Sequence, residues 1–308
     1  MTSLATDTSA HGIYGPIPAF SADVPADAVQ CSPLIPGASA LETVAVGSLA
    51  SMSVLAPPGT LERRYVLALS LRALAAGGSL TALAPRNRGG ARLRAELEAF
   101  GLAVTETSKS HFRFCHAERP PGLMDLDAAI EAGRPRFAQP IGLWTQPGIF
   151  SWDRIDPGSR LLAEHLPALS GHGADLGCGT GYLSLGMLKS SSVTALDLVD
   201  IDRRAIEAAR RNVTDPRAQF HWADASAPLP FAPLDFAVTN PPFHQDGAEA
   251  RALGVAVARQ AAAALRKGGE LWLVANRHLD YAAPLRQAFT QVTVAAEDRE
   301  FRVFRAVK

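Results

Sequence analysis

From residue 159 to residue 276 the sequence alternates apolar runs of strand length with segments of helical spacing. They read SRLLAEHL, the turn ADLGCGTG, YLSLGML, VTALDLVDI, RRAIEAARRNV, AQFHWA, LDFAVTN, AEARALGVAVARQAAAALR and ELWLVAN. Strands separated by helices of this length cannot pair as tight hairpins. Each returns through a right-handed crossover, which predicts a mostly parallel, doubly wound sheet with helices on its faces. Ligands of such sheets sit outside the carboxyl ends of the strands.

The first half shows the same character in a smaller form. TVAVGSL and SMSVLAP read as strands, LERRYVLALSLRALAAGG as a helix ending in glycines, and SLTALAP as another strand. ARLRAELEAFG reads as a helix closed by Gly101, followed by AVTETS and the possible strand HFRFCHAE. Residues 1–40, rich in Pro, Ala and Ser without a sustained period, are expected to form a loosely held arm. Prolines and glycines between Ala117 and Trp144 place a boundary near residue 134. The organisation expected is an arm (1–40), a small α/β domain (41–134) and a larger α/β domain (135–308).

A chain of 308 residues, 47% of them hydrophobic, can fill two cores, and a formal net charge of zero drives it onto neither nucleic acid nor anionic membranes as a whole. The three cysteines, Cys31, Cys115 and Cys178, have no paired spacing of the kind that binds zinc, and their odd number argues against a disulfide framework. A reducing cytoplasm, no metal and no membrane partner are expected, since no stretch approaches the length of a span.

The densest chemistry lies at strand ends. Asp175-Leu-Gly177-Cys-Gly179-Thr-Gly181 joins a short strand to a helix, and glycines at alternate positions let the backbone turn tightly and approach a ligand. The dinucleotide fingerprint fails because Tyr182 stands where its last glycine belongs, and a phosphate loop would need Gly-Lys-Ser/Thr. The strand VTALDLVDI ends at Asp200, where a carboxylate can accept from ribose hydroxyls, and Asp202 follows in position to cap a helix. Asp224 closes HWADAS and can accept from an exocyclic amine such as that of adenine. Together these residues outline one nucleoside pocket. The first strand, GHGAD, lacks the usual aliphatic run and is expected to be short or irregular.

In order and spacing, DLGCGTG, VDID, ADA and NPPF resemble the class I S-adenosylmethionine-dependent methyltransferases. The resemblance implies that Asp175, Gly177, Gly179 and Gly181 surround the methionine part of that cofactor. Asp200 would then hold the ribose, Ile201 lie against the adenine, and Asp224 with Ala225 meet the adenine edge. It assigns catalysis to Asn240, Pro241 and Phe243: the Asn240 side-chain oxygen and the Pro241 carbonyl each accept an N–H of a conjugated amine, and Phe243 stacks on its ring. TQPGIFSWDRIDPGSRLL, NPPFH, KGGELWLVANRHLDY and REFRVFRAVK are further similar to the bacterial ribosomal RNA guanine-N2 methyltransferases, above all the small-subunit (16S) enzymes. APRNRGG and KSHFRFCHAERP echo that family's N-terminal domain, a degenerate copy of the methyltransferase fold. The fold class implied is α/β: a Rossmann-like doubly wound class I methyltransferase domain preceded by a smaller degenerate methyltransferase-like domain. The partner implied is ribosomal RNA or the small ribosomal subunit. Competing readings are a 23S guanine-N2, protein glutamine or adenine N6 methyltransferase, and a non-catalytic RNA-binding factor.

Blander readings attach to the remaining polar residues. His244 is as readily a loop histidine as a substrate contact. Arg86, Arg88, Arg92 and Arg94 are either a solvated helix face or an RNA contact. Arg203, Arg204, Arg210 and Arg211 are expected to be solvated, and Cys178 needs no redox role.

Overall fold

The computed structural model describes residues 10–18, 24–122, 124–231, 233–241 and 247–308, with 247–250 as backbone. The chain divides into two compact units, Met1–Pro135 and Arg136–Lys308.

The first unit contains β1 (His11–Tyr14), β2 (Val29–Gln30), β3 (Leu49–Leu55), α1 (Thr60–Ala73), β4 (Leu74–Pro85), α2 (Ala91–Glu98), β5 (Thr105–Lys109), β6 (Phe112–Glu118) and α3 (Asp127–Gly133). The sheet order is β2-β1-β3-β4-β6-β5; the first four strands are parallel and β6 runs against both its neighbours. The β5–β6 hairpin turns on Ser110 and His111, both with positive φ (49° and 66°), the geometry whose twist matches the flanking strands.

Two expectations for this region are corrected. The arm is anchored where it is described: β1 pairs with β3, and the Gln30 side-chain oxygen accepts from the backbone N–H groups of Gly15, Cys31 and Ser32. Strands of four and two residues are too short to show a period, so the sequence reads as loop. TVAVGSL is not a strand either. Leu41–Thr43 is a 3-10 turn, Gly47 turns with φ 68°, and the strand begins only at Leu49.

The second unit opens with the hairpin β7 (Arg136–Ala138) and β8 (Leu143–Thr145). There follow α4 (Pro157–His165), β9 (Gly171–Leu176), α5 (Tyr182–Met187), β10 (Val193–Asp200), α6 (Arg203–Asn212), β11 (Ala218–Trp222), β12 (Leu234–Thr239), α7 (Gly247–Ala264), β13 (Leu265–Asn276), α8 (Ala282–Ala288), β14 (Gln291–Glu297) and β15 (Phe301–Val307). The sheet order is β11-β10-β9-β12-β13-β15-β14, five parallel strands followed by a reversed strand inserted before the last. One face buries Val257, Ala258 and Ala261 of α7 with Leu285 of α8. The other buries Leu162 of α4, Leu183 and Met187 of α5, and Ile206 and Ala209 of α6. This is the doubly wound α/β fold the alternation predicted. Each fully buried Leu or Ile contributes roughly 1.5–3 kcal/mol. Among the described residues no helix is long and apolar enough to cross a membrane.

The glycine-rich first strand is not short, and its irregularity is confined to its start, where Gly171 has φ 85° and the pairing with β10 shifts between Val193 and Ala195. β9 has six residues and sits at the centre, paired to β10 and β12. A Cβ at Gly173 would come within 2.1 Å of the Phe236 ring, so this glycine makes room for an aromatic side chain of the next strand. The aliphatic bulk that β9 lacks is supplied by its neighbour.

Candidate functional site

β9, β10, β11 and β12 run parallel, so their carboxyl ends meet on one rim of the sheet. Asp175 lies one residue before the end of β9 and is fully buried. Its Oδ2 accepts a 2.5 Å hydrogen bond from Ser184 Oγ, while Oδ1 finds no partner among the described residues. Burial pushes the carboxyl up to about 7; the Ser184 bond opposes the rise and the nearby Asp200 adds to it. Gly177, Gly179 and Gly181 follow with φ of 76°, 54° and 84°, all in the left-handed region where side chains are costly. At Gly179 a Cβ would meet nothing within 4 Å. The loop therefore presents open backbone next to an acceptor that lacks a donor.

The tip of β10 faces this loop. Asp200 Oδ2 accepts from the Gly179 N–H and Oδ1 from the Asp202 N–H, both at 2.8 Å, and each oxygen keeps a lone pair for a further donor. Burial pushes this carboxyl up to about 6, with Asp202 adding to the rise. Two neighbouring carboxylates, Asp175 fully buried and Asp200 partly exposed, both resist ionisation and make a site that favours an incoming cation. Ile201 is 40% exposed on the same strand end, an apolar surface open to a flat partner. Asp224 follows β11, where its Oδ1 accepts from Ser226 N–H and Oγ, and Ala225 is buried beside it.

Asn240 follows β12 and is 9% exposed. Its Nδ2 donates to Asp156 Oδ2 at 2.8 Å and to Ser159 Oγ at 2.7 Å. A carboxylate only accepts, so this contact fixes which end of the amide is nitrogen. Both N–H groups are spent, and Oδ1, buried, has no partner among the described residues. The amide is held as an acceptor. Asp156 performs a second task, since its Oδ2 also takes the Ser159 N–H and caps α4. Pro241 is buried next to Asn240. Phe243 and His244 lie outside the described residues.

Sequence reasoning missed the residues that organise this rim. Asp156 and Ser159 stand 84 and 81 positions before Asn240, and the only local signal was the Asp-Pro-x-Ser pattern of a helix start. Asn212 ties the glycine loop to β8, donating to the carbonyls of Thr180 and Trp144 and accepting from the Trp144 N–H. Of the four arginines expected to be solvated around α6, Arg210 and Arg211 are exposed as expected, and the expectation is corrected for Arg204. Arg204 is 4% exposed and pairs with Asp202 through two nitrogens. Arg210 and Arg211 lie over the rings of Phe220 and Trp144 at 4.8 and 4.6 Å. A buried guanidinium survives because its charge is matched, which spacing alone does not reveal.

Residues 140–305 match the family model described as Methyltransferase small domain. The chain belongs to this methyltransferase family. It is 38% identical over 222 residues to Ribosomal RNA large subunit methyltransferase G of Streptomyces avermitilis, covering 67% of this chain and 58% of that one. It is 39% identical over 174 residues to the protein of the same name from Alcanivorax borkumensis, covering 53% and 43% of the two chains. The chain spans about half the length of the curated relatives it matches. A solved structure, the 16S rRNA N2 G1207 methyltransferase RsmC of T. Thermophilus in complex with AdoMet and guanosine, aligns with a TM-score of 0.72 and 27% identity, covering 87% of this chain and 75% of that one.

The methyltransferase rim suits S-adenosylmethionine, the cofactor of the family. The unpartnered Asp175 Oδ1 suits an ammonium, the free lone pairs of Asp200 suit ribose hydroxyls, and exposed Ile201 suits the adenine face. Among the described residues no group of three or more His, Cys, Asp or Glu side chains is placed to hold a metal.

Proposed function

We propose that this protein transfers a methyl group from S-adenosylmethionine to the exocyclic N2 amine of a guanine in ribosomal RNA. The observation that carries this reading is the Asn240 amide, locked by Asp156 and Ser159 with its oxygen buried and unspent. When bound, the cofactor supplies an electrophilic methyl group on a positively charged sulfur. Asp175, Gly177, Gly179 and Gly181 hold its methionine part, Asp200 its ribose, Ile201 its adenine face, and Asp224 with Ala225 the adenine edge.

The guanine N2 amine is a poor nucleophile because its lone pair is delocalised into the ring. Asn240 Oδ1 and the Pro241 carbonyl each accept one of its two N–H groups, which orients the nitrogen and favours its pyramidal form. Proline fixes φ, which limits how far the Pro241 carbonyl can turn. Phe243 supplies the stacking surface for the base, a contact worth about 1–3 kcal/mol. A paired guanine has to leave its helix to reach the site.

Asp156 and Ser159 are positioning residues, because they act through Asn240. Asp156→Ala is expected to lower kcat about tenfold while the cofactor dissociation constant stays within about twofold, and to cost about 1 kcal/mol through the lost cap. Ser159→Ala is expected to have a smaller effect of the same kind. Steady-state kinetics beside calorimetric cofactor binding check both; equal losses in binding and turnover would count against positioning.

Sequence identity to the curated relatives favours large-subunit RNA, and the longer structural alignment favours 16S RNA. Arg86, Arg88, Arg92 and Arg94 are all exposed, and this exposed group is the candidate for phosphate contact. Small subunits, large subunits and their naked RNAs, all purified from cells lacking this gene, are offered separately with labelled cofactor. Label entering one RNA supports the reading and names the subunit; label entering protein supports the glutamine alternative, and label in neither supports a non-catalytic binder.

A further inference from the structure

The first unit repeats the strand order of the second where it counts. Aligning the reversed strands, β6 with β15, sets β4 on β13 and β3 on β12. The sequences agree with this overlay: GGSLTALAPRN of β4 stands against GGELWLVANRH of β13, and Val54-Leu-Ala-Pro57-Pro58 after β3 against Val238-Thr-Asn-Pro241-Pro242 after β12. Ala56 occupies the position of Asn240, so the amide acceptor is gone, while the proline pair is retained.

At the carbonyls of that proline pair lies Arg63, 1% exposed. Its Nη1 donates to the carbonyls of Pro57 at 3.1 Å and Pro58 at 2.7 Å. Its Nε and Nη2 grip the Glu96 carboxylate, both at 2.6 Å, and Nη2 lies 3.4 Å from Thr60 Oγ1. Gly89, with φ 100°, closes the other side; a Cβ there would fall 2.5 Å from Nη1. A guanidinium is a planar carbon bearing conjugated amino groups, and so is the C2 edge of guanine with its N1–H and N2 amine. In both, N–H donors fan out in one plane toward carbonyl and carboxylate acceptors.

We propose that the first unit contains a closed counterpart of the methyl-acceptor site, filled from within by the Arg63 guanidinium, and that the ligand class of this site is a planar guanidinium. The term acceptor site rests on the reading given above; the filling is tested without it. Glu96 supplies the fork in place of the missing amide, and the chain carries its own occupant at the Pro57–Pro58 turn.

The full chain with Arg63→Ala is compared with wild type by thermal unfolding, alone and with methylguanidinium or methylammonium at equal millimolar concentration. Losing the guanidinium leaves a carboxylate that is only 11% exposed and two carbonyls unmatched, and the unfolding midpoint of the first unit is expected to fall by roughly 10 °C. Methylguanidinium is expected to restore part of that loss, methylammonium not, and neither to shift wild type. Adding Glu96→Gln to Arg63→Ala is expected to remove the rescue. If Arg63→Ala does not fold, the two cations are compared during refolding, and only methylguanidinium is expected to raise the yield. An unchanged midpoint, or equal responses to the two cations, overturns the proposal. Failure of the guanine-N2 reading would appear in methyl transfer and leave this result untouched.

Discussion

Asn240→Ala is expected to lower methyl transfer by roughly 10²–10³-fold while cofactor affinity stays within about twofold. The amide oxygen is buried, unpaired among the described residues and held by two donors spent on Asp156 and Ser159. In the proposed mechanism this oxygen accepts from the amine, so the loss is expected to fall on the chemical step. Removing the side chain also takes the Asn240 bond from Asp156, whose capping bond to the Ser159 N–H remains. Single-turnover transfer beside calorimetric cofactor binding separates the two effects. Unchanged turnover would remove Asn240 from the mechanism.

Asp175→Asn is expected to stabilise the cofactor-free protein and to weaken cofactor binding. The folded carboxyl titrates at about 7 against an ordinary value of 3.8. As pH rises through that window, the unfolded chain ionises while the folded one resists, so stability is lost between about pH 4 and 7. Asparagine keeps an oxygen for the Ser184 hydroxyl but has no charge to bury. At neutral pH the gain is expected to be roughly 1–3 kcal/mol, and the decline of stability with pH becomes shallower, Asp200 retaining its own share. Cofactor affinity is expected to fall at least roughly tenfold, because the carboxylate proposed to face the cofactor's ammonium loses its charge. In the wild type, affinity should rise with pH until Asp175 is ionised. Urea unfolding and calorimetry across pH check both limbs; a variant no more stable than wild type would contradict the burial account.

Much of the site was legible in the sequence because its parts are local. Alternating glycines announce positive φ, and a carboxylate after an apolar run announces a strand tip; Gly177, Gly179, Gly181, Asp200 and Asp224 needed nothing more. What stayed hidden depends on contacts between distant segments. The clamp on Asn240 crosses more than eighty residues, and Asn212 reaches Trp144 across sixty-eight. Gly173 could not be read as a packing device until Phe236 was placed over it. Arg204 read as a surface residue because helical spacing shows where a side chain starts and not which carboxylate ends it. The arm's strands escaped because two to four residues carry no measurable period.

The most direct test of the central claim is nucleoside analysis of ribosomal RNA after reaction with labelled S-adenosylmethionine, using RNA from cells lacking this gene and the Asn240→Ala protein as control. The label is predicted to appear as N2-methylguanosine with the wild type and to drop to near background with the variant; label in N6-methyladenosine or in protein, or N2-methylguanosine formed equally by both proteins, would contradict it.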